Sequence, residues 1–359
     1  MLDETEIIRV LLRSGLLDER TLLDEQLCIE GAQGRNRSHR IHSPEGPCYF
    51  VKQGNGPEAV SSVHREASIY QYLLSQSPRN ALHDALPEFF GYHERDGLLV
   101  LGLSRGAQTL RDFYANHGRI PGGAAVAMGR ALAALHRLPP RREPGGGMRF
   151  GPAWPLSIHR PWIGVLREAS SANLDLIAAI QEFPAFGAHL DDLRTKWRPR
   201  TLIHFDLKAD NCVMTPRTPA DWALKIVDWE TCETGDPSWD VGSVFCDYLS
   251  LWVHAIPVLA DATPQQFLEL TRFPLDRMRS PARAFWNSYV QELRLTDGEA
   301  REALLLALQY SAARLLQAAF ERTQTIEHLT GTVVCMLQLS WNILERPGEA
   351  AHQLLGIAA

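Results

Sequence analysis

The hydrophobic periodicity of this chain changes character after Leu103, and that change limits the folds open to it. Before it, short β-like runs at 26–30, 39–42 and 48–52 are interleaved with helical spacing. Asp3 with Glu6 three residues later is a capping box that predicts a helix through about Leu17. The turn-rich Ser43-Pro-Glu-Gly-Pro47 joins the second and third runs as a hairpin would. Val60, Val63, Ala67, Tyr70 and Leu74 predict a helix with these residues on one face, and the apolar Leu98–Leu103 predicts a buried strand. Beyond it the pattern is mainly helical: 124–138, stopped by Pro139-Pro140, then 173–180 and 186–197. Two β-like runs, 212–215 and 224–229, precede helical stretches at 240–254, 281–293, 299–322 and 326–345. The expectation is an α+β protein with a small β-rich N-terminal part, 1–103, and a large mostly helical part, 104–359. The length agrees, because single cores usually stop growing at roughly 250–300 residues and this chain has 359.

Composition narrows the function classes. A net charge of −6 and the lack of a basic run with interleaved aromatics argue against nucleic acid as a partner. The six cysteines form no CxxC pair and have no histidine at metal-ligand spacing, which favours a reducing compartment and buried thiols. The N-terminus lacks the pattern of a secretory signal. No uncharged apolar stretch reaches the ~18 residues expected of a membrane span. A cytoplasmic protein with no membrane partner is expected.

The chemistry concentrates in Leu202-Ile-His204-Phe-Asp206-Leu-Lys208-Ala-Asp-Asn211 and in Leu224-Lys-Ile-Val-Asp228-Trp-Glu230. Asp206 and Asn211 stand five residues apart on a loop entering a strand, so one can face an acceptor and the other a metal. Asp228 ends the next apolar run, where a hairpin would return it beside Asn211. Hard oxygen donors of this kind suit Mg²⁺. A carboxylate to orient an attacking hydroxyl plus ligands for a phosphate-bridging metal is the set that phosphoryl transfer needs. Taken singly, each residue also reads as a turn former or a solvated charge; their joint order carries the inference.

The order His-x-Asp-x-x-x-x-Asn, then Asp-Trp-Glu, then Gly235-Asp-Pro-Ser-Trp-Asp240 resembles the aminoglycoside phosphotransferase and choline kinase superfamily, which has a bilobal protein-kinase-like fold. The resemblance implies ATP between two lobes and Mg²⁺ on Asn211 and Asp228, with Asp206 orienting the acceptor hydroxyl. It places Lys52 on the third strand against the phosphates, oriented by Glu66 on the following helix. Leu98–Ser104 corresponds to the hinge. His204 is expected to brace the loop, and Asp236 and Asp240 to cap the helix starting near 240.

The chain departs from the family in three places. No GxGxxG loop is present; Gly31-Ala-Gln-Gly34-Arg-Asn-Arg-Ser38 occupies the region, and backbone N–H groups near Gly34 and Ser38 are expected to cover the phosphates. Phe205 replaces the glycine of His-Gly-Asp. Lys208 follows the protein-kinase pattern, where its ammonium can stabilise charge on the transferring group. Residues 201–260 hold nine Asp or Glu against three Lys or Arg, whereas 139–200 hold six against nine, which slightly disfavours a polycationic acceptor. The segment Trp154-Pro-Leu-Ser-Ile-His-Arg-Pro-Trp162 and its continuation to Phe186 resemble kinases of class V lanthipeptide and thioamitide biosynthesis. In that subgroup a precursor-peptide Ser or Thr is phosphorylated and a partner lyase eliminates the phosphate. A small alcohol such as an antibiotic, sugar or amino alcohol stays open as acceptor, as does a non-catalytic scaffold.

Overall fold

The structure, a computed structural model, describes residues 2–18, 27–32, 37–43, 46–140, 151–218, 221–257 and 271–358. Gly34 and most of the 139–153 stretch lie outside the described residues. Contacts divide the chain into two compact units, 1–109 with 211–232, and 110–210 with 233–359. The sequence reading assigned 211–232 to the C-terminal part. It groups instead with the first unit because its hairpin, Cys212–Pro216 against Trp222–Ile226, is hydrogen-bonded to Gln108–Thr109.

In the first unit, α1 (Glu4–Arg13) carries the expected capping box: Glu6 N–H donates to Asp3 at 2.8 Å and Asp3 N–H to Glu6 at 2.8 Å. Its apolar face, Ile7, Val10 and Leu11, packs on Ile41, Tyr49, Val51, Leu98 and Val100 of a five-stranded antiparallel sheet. The strands are β1 (Cys28–Ala32), β2 (Arg37–His42), β3 (Cys48–Gln53), β4 (Phe89–His93) and β5 (Leu98–Leu103), ordered β1-β2-β3-β5-β4. β5 lies between β3 and β4 and is buried from Leu98 to Leu101, which is why it reads as an unbroken apolar run. Helix α2 (Pro57–Leu74) starts with proline in its first turn, where no N–H is needed. Its buried face includes Val63, Glu66, Ala67, Tyr70 and Leu73, while the expected Val60 and Leu74 are exposed. A charged residue therefore sits within the stripe that the apolar pattern alone traced. A short α3 (Ala81–Ala85) precedes β4.

The second unit is built from α4 (Leu110–His117), α5 (Gly122–Leu135), α6 (Ile163–Glu168), α7 (Ser171–Gln181), α8 (Pro184–Lys196), α9 (Pro237–His254), α10 (Asp276–Leu293), α11 (Asp297–Thr323) and α12 (Gly331–Glu345). Its core comes from α5 against α10, α9 against α11, and α11 against α12. A two-stranded ribbon, Thr201–Ile203 with Glu233–Gly235, brackets the segment that leaves for the other unit. α11 is long and apolar enough to cross a membrane by length and composition, but two thirds of its most apolar stretch (67%) is buried in the protein, as in a core helix. Of the cysteines, all free, Cys48, Cys212, Cys232 and Cys246 are buried.

α9 and α11 approach closely at Gly242, where an added Cβ would lie 2.6 Å from the Ala307 carbonyl oxygen. Backbone cannot swing aside as a side-chain tip can. Gly242→Ala is expected to lower unfolding stability by about 1–3 kcal/mol, the cost of overpacking a fitted core; denaturant titration checks it.

Candidate active site

In the first unit, strand β3 and helix α2 bring Lys52 and Glu66 together, and the hairpin adds Asp228 and Glu230. Lys52 Nζ lies 2.7 Å from Glu66 Oε2, 2.5 Å from Asp228 Oδ1 and 3.5 Å from Glu230 Oε2. Ser62 donates to Glu230 at 2.6 Å, and Arg65 to the Cys232 carbonyl at 2.9 Å, so α2 also holds the segment after the hairpin. Lys52 and Glu66 are buried, whereas the Asp228 side chain keeps 32% exposure and so faces an opening. Burial works against the charge on Lys52, but Glu66, Asp228 and Glu230 outweigh it and raise its pKa. Burial pushes Glu66 up to about 7 against the pull of Lys52.

The hairpin does what its sequence promised. Cys212 pairs with Ile226, and the Val227 N–H donates to the Asn211 carbonyl at 2.9 Å, so Asn211 and Asp228 stand at the same end of the ladder. Asp228 has φ 66° and ψ 55°, a left-handed conformation that aspartate tolerates better than most residues. The oxygens of Glu66, Asp228 and Glu230 all lie within 4.8 Å of one another. Three clustered carboxylates share one ammonium, so the donor chemistry fits a hard divalent cation such as Mg²⁺. Glu230 stood in the Asp-Trp-Glu motif without a role in the sequence reading, and its place beside Lys52 is new. Ser38, on β2, is buried and pairs in register with Lys52.

In the second unit, Asp206 follows the strand Thr201–Ile203. Both N–H groups before it are bound by one buried carboxylate: Asp240 accepts from His204 at 2.7 Å and from Phe205 at 3.0 Å. Asp240 was expected to be a helix cap. The cap is Asp236, which accepts from Ser238 at 3.0 Å, and Asp240 in the first turn of α9 instead faces the loop. Phe205 has φ 73°, a region that costs a non-glycine residue on the order of 1–3 kcal/mol. Besides the Asp240 contact, its carbonyl accepts from Trp239 Nε1 at 2.8 Å, so the conformation is fixed from both sides.

Asp206 pairs through Oδ2 with Lys208 Nζ at 2.7 Å and through Oδ1 with Arg314 Nη2 at 3.4 Å. Burial alone would raise its pKa, but Arg314, Lys208 and His204 more than reverse this and hold the carboxyl below its ordinary value. Arg314 is 108 residues downstream on α11, and nothing in the sequence reading pointed to it. A further ion pair, Arg111 with Asp210, is bidentate at 2.7 and 2.8 Å.

A lysine on the central strand of a five-stranded sheet with its carboxylate cluster, and an aspartate loop braced by a helix, define this as a kinase-like phosphotransferase fold. The model of the APH phosphotransferase enzyme family matches residues 30–281, and the chain belongs to that family. No curated protein matches the chain in sequence. In fold it is similar to a choline kinase from Cryptosporidium parvum Iowa II, at 12% identity and TM-score 0.59, covering 96% of this chain and 97% of that one. The amicoumacin kinase hAmiN, solved with AMP-PNP, Ca²⁺ and Ami, is similar at 15% identity and TM-score 0.53, with 96% of each chain covered. A putative fructosamine-3-kinase from Thermobifida fusca YX-ER1 aligns at 17% identity and TM-score 0.50, covering 88% and 93%.

Removing Lys52 leaves three adjacent carboxylates without their cation. Lys52→Met is expected to destabilise the fold by about 3–5 kcal/mol at pH 8, the scale of breaking a buried pair. Glu66 has a folded pKa of about 7, above the ordinary 4.5, so its protonated form is the one folding favours. Without Lys52 the Glu66 pKa should rise above its wild-type value of about 7, so the deficit should shrink as pH falls from 8 toward 7 and level off below it. Melting curves across that range test this, and a deficit that stays constant contradicts it.

Proposed function

We propose that the protein transfers the γ-phosphoryl group of ATP to an alcohol hydroxyl with the help of Mg²⁺. The observation that carries this reading is the Lys52–Glu66–Asp228–Glu230 cluster. Its surplus of negative charge around a buried ammonium is matched to a metal–triphosphate, which brings both a cation for the carboxylates and anionic oxygens for the lysine. In this reading Lys52 binds phosphate oxygens and is oriented by Glu66, and Asn211 and Asp228 hold the metal. Bound there, a metal would supply positive charge to offset that of the phosphates. The expectation that backbone N–H groups near Gly34 and Ser38 would cover the phosphates belongs to the same reading. Asp206 accepts the hydrogen bond of the attacking hydroxyl and aims its oxygen at phosphorus; Lys208 stabilises charge on the transferring group. Only four residues separate Asp206 from Asn211, so their Cα atoms are within about 18 Å by chain length alone.

A depressed Asp206 pKa suits this role. The group stays ionised at neutral pH and is a weak base, so it orients more than it deprotonates, as a loose phosphoryl-transfer transition state requires. For the acceptor, we favour a Ser or Thr hydroxyl of a peptide. Trp162, Ile163 and Phe183 are 71%, 62% and 57% exposed along the 154–186 segment, giving apolar surface suited to an extended chain. The fold relatives named as choline, amicoumacin and fructosamine-3-kinases favour a small alcohol as the second reading.

A panel of Ser/Thr peptides and small alcohols, followed by ATP consumption and product mass, separates the two. Asp206→Ala is expected to lower transfer by at least about a hundredfold while leaving the fold and the stabilisation by Mg·ATP intact. Near-normal transfer by that variant refutes the role. Stabilisation of wild type by Mg·ATP without product from any acceptor would instead mark a scaffold.

A further inference from the structure

Asp206 is clamped by two cations of different kinds. Lys208 is its near neighbour in the loop, with a side chain 33% exposed and a flexible stem. Arg314 comes from the middle of α11, with a side chain only 9% exposed. Its guanidinium makes several contacts at once. Besides Asp206, it donates to the Leu207 carbonyl at 3.2 Å and to Gln317 at 2.7 Å, and its carbon lies 5.5 Å from the Trp239 ring centre. Trp239 in turn donates to the Phe205 carbonyl. One buried arginine thus touches Asp206 and Leu207 directly and reaches Phe205 through a tryptophan.

We propose that Arg314 is a positioning residue for Asp206: it fixes Oδ1 permanently, while Lys208 on Oδ2 is exchangeable and leaves that oxygen to the acceptor hydroxyl when an anionic phosphoryl group draws the lysine away. This rests on the phosphotransfer reading and deepens it. The asymmetry follows from burial and chemistry. A planar guanidinium with several fixed partners cannot turn without losing them together, whereas an exposed ammonium on four methylenes can. The charged groups facing Asp206 are Arg314 from α11, Lys208 and His204 from the loop, and Asp247 from α9. Among them the charge of Arg314 is the largest single pull toward ionised Asp206, and Lys208 adds both its charge and a hydrogen bond.

Two measurements on Arg314→Met, Arg314→Lys, Asp206→Asn and the double variant Asp206→Asn/Arg314→Met test the proposal. In carbon-13 carboxylate titrations, the Asp206 signal is the one missing in Asp206→Asn. Its midpoint should rise by about one unit or more in Arg314→Met, the usual effect of an arginine beside an aspartate, and should stay close to wild type in Arg314→Lys. An unmoved midpoint in folded Arg314→Met overturns the proposal. In turnover, kcat should fall on the order of a hundredfold in Arg314→Met, the scale of a misplaced reacting group, with the KM for ATP unchanged. The acid limb of kcat/KM should shift to higher pH, and the Met substitution should cost nothing further in the Asp206→Asn background. An equal further loss there means that Arg314 acts elsewhere and overturns the proposal. Should Arg314→Met fail to fold, Arg314→Lys decides: the charge stays but the fork is lost, so kcat must fall while the Asp206 midpoint holds, and wild-type kcat overturns the clamp. The titration needs no acceptor, so wild type without turnover counts against phosphotransfer, and the midpoint still decides the Arg314 contact.

Discussion

The buried carboxylate of Asp240 sets the conformation on which the rest of the second unit's chemistry depends. A charge with no solvent exposure is expensive unless every lone pair is used. Here the two oxygens take the N–H groups of His204 and Phe205, and His136 Nε2 lies 3.3 Å from one of them. His136 is held on its other side by Tyr289, 2.8 Å from Nδ1. The loop backbone is therefore tied to α9 by two charge-assisted hydrogen bonds immediately before Asp206. Such bonds are roughly twice as strong as neutral ones, so they can hold Phe205 at a φ it would otherwise avoid.

The two clusters have opposite electrostatic needs. In the first unit three carboxylates surround one lysine. In the second unit one carboxylate, Asp206, takes both Lys208 and Arg314. Burial also pushes Asp247 on α9 up to about 7, with Arg314 and Arg111 opposing the rise and Asp210 and Asp206 adding to it.

What could be read from sequence follows the range of the interactions. Strands β2, β3 and β5, helices α1 and α2 and the hairpin ending at Asp228 are local patterns, and all were visible. Lys52 and Glu66 lie on the consecutive elements β3 and α2 and were legible through the resemblance to the family, not through either residue alone. Asp240 was misread because acidic residues at a helix start usually cap it, and only the tertiary path of the 204–206 loop turns this one outward. Arg314 had no local signal beyond one. It lies four residues from buried Tyr310, on the apolar side of a long helix, where a charge needs a partner to be tolerated.

Phe205 is the point at which these threads meet. A glycine there would adopt φ 73° without strain, so a phenylalanine must be held by its surroundings. Its ring lies 6.0 Å from Trp239, tilted by 33°, and the same indole hydrogen-bonds the Phe205 carbonyl and lies under the Arg314 guanidinium. Phe205, Trp239 and Arg314 thus form one packed column ending on Asp206. The aromatic pair contributes contact area that glycine lacks, and the arginine gains a π-face that offsets part of its desolvation. The departure from the family's glycine is then better understood as one member of a coupled set than as an isolated loss: a bulky residue at 205 makes sense where a tryptophan at 239 and an arginine at 314 are present to hold it.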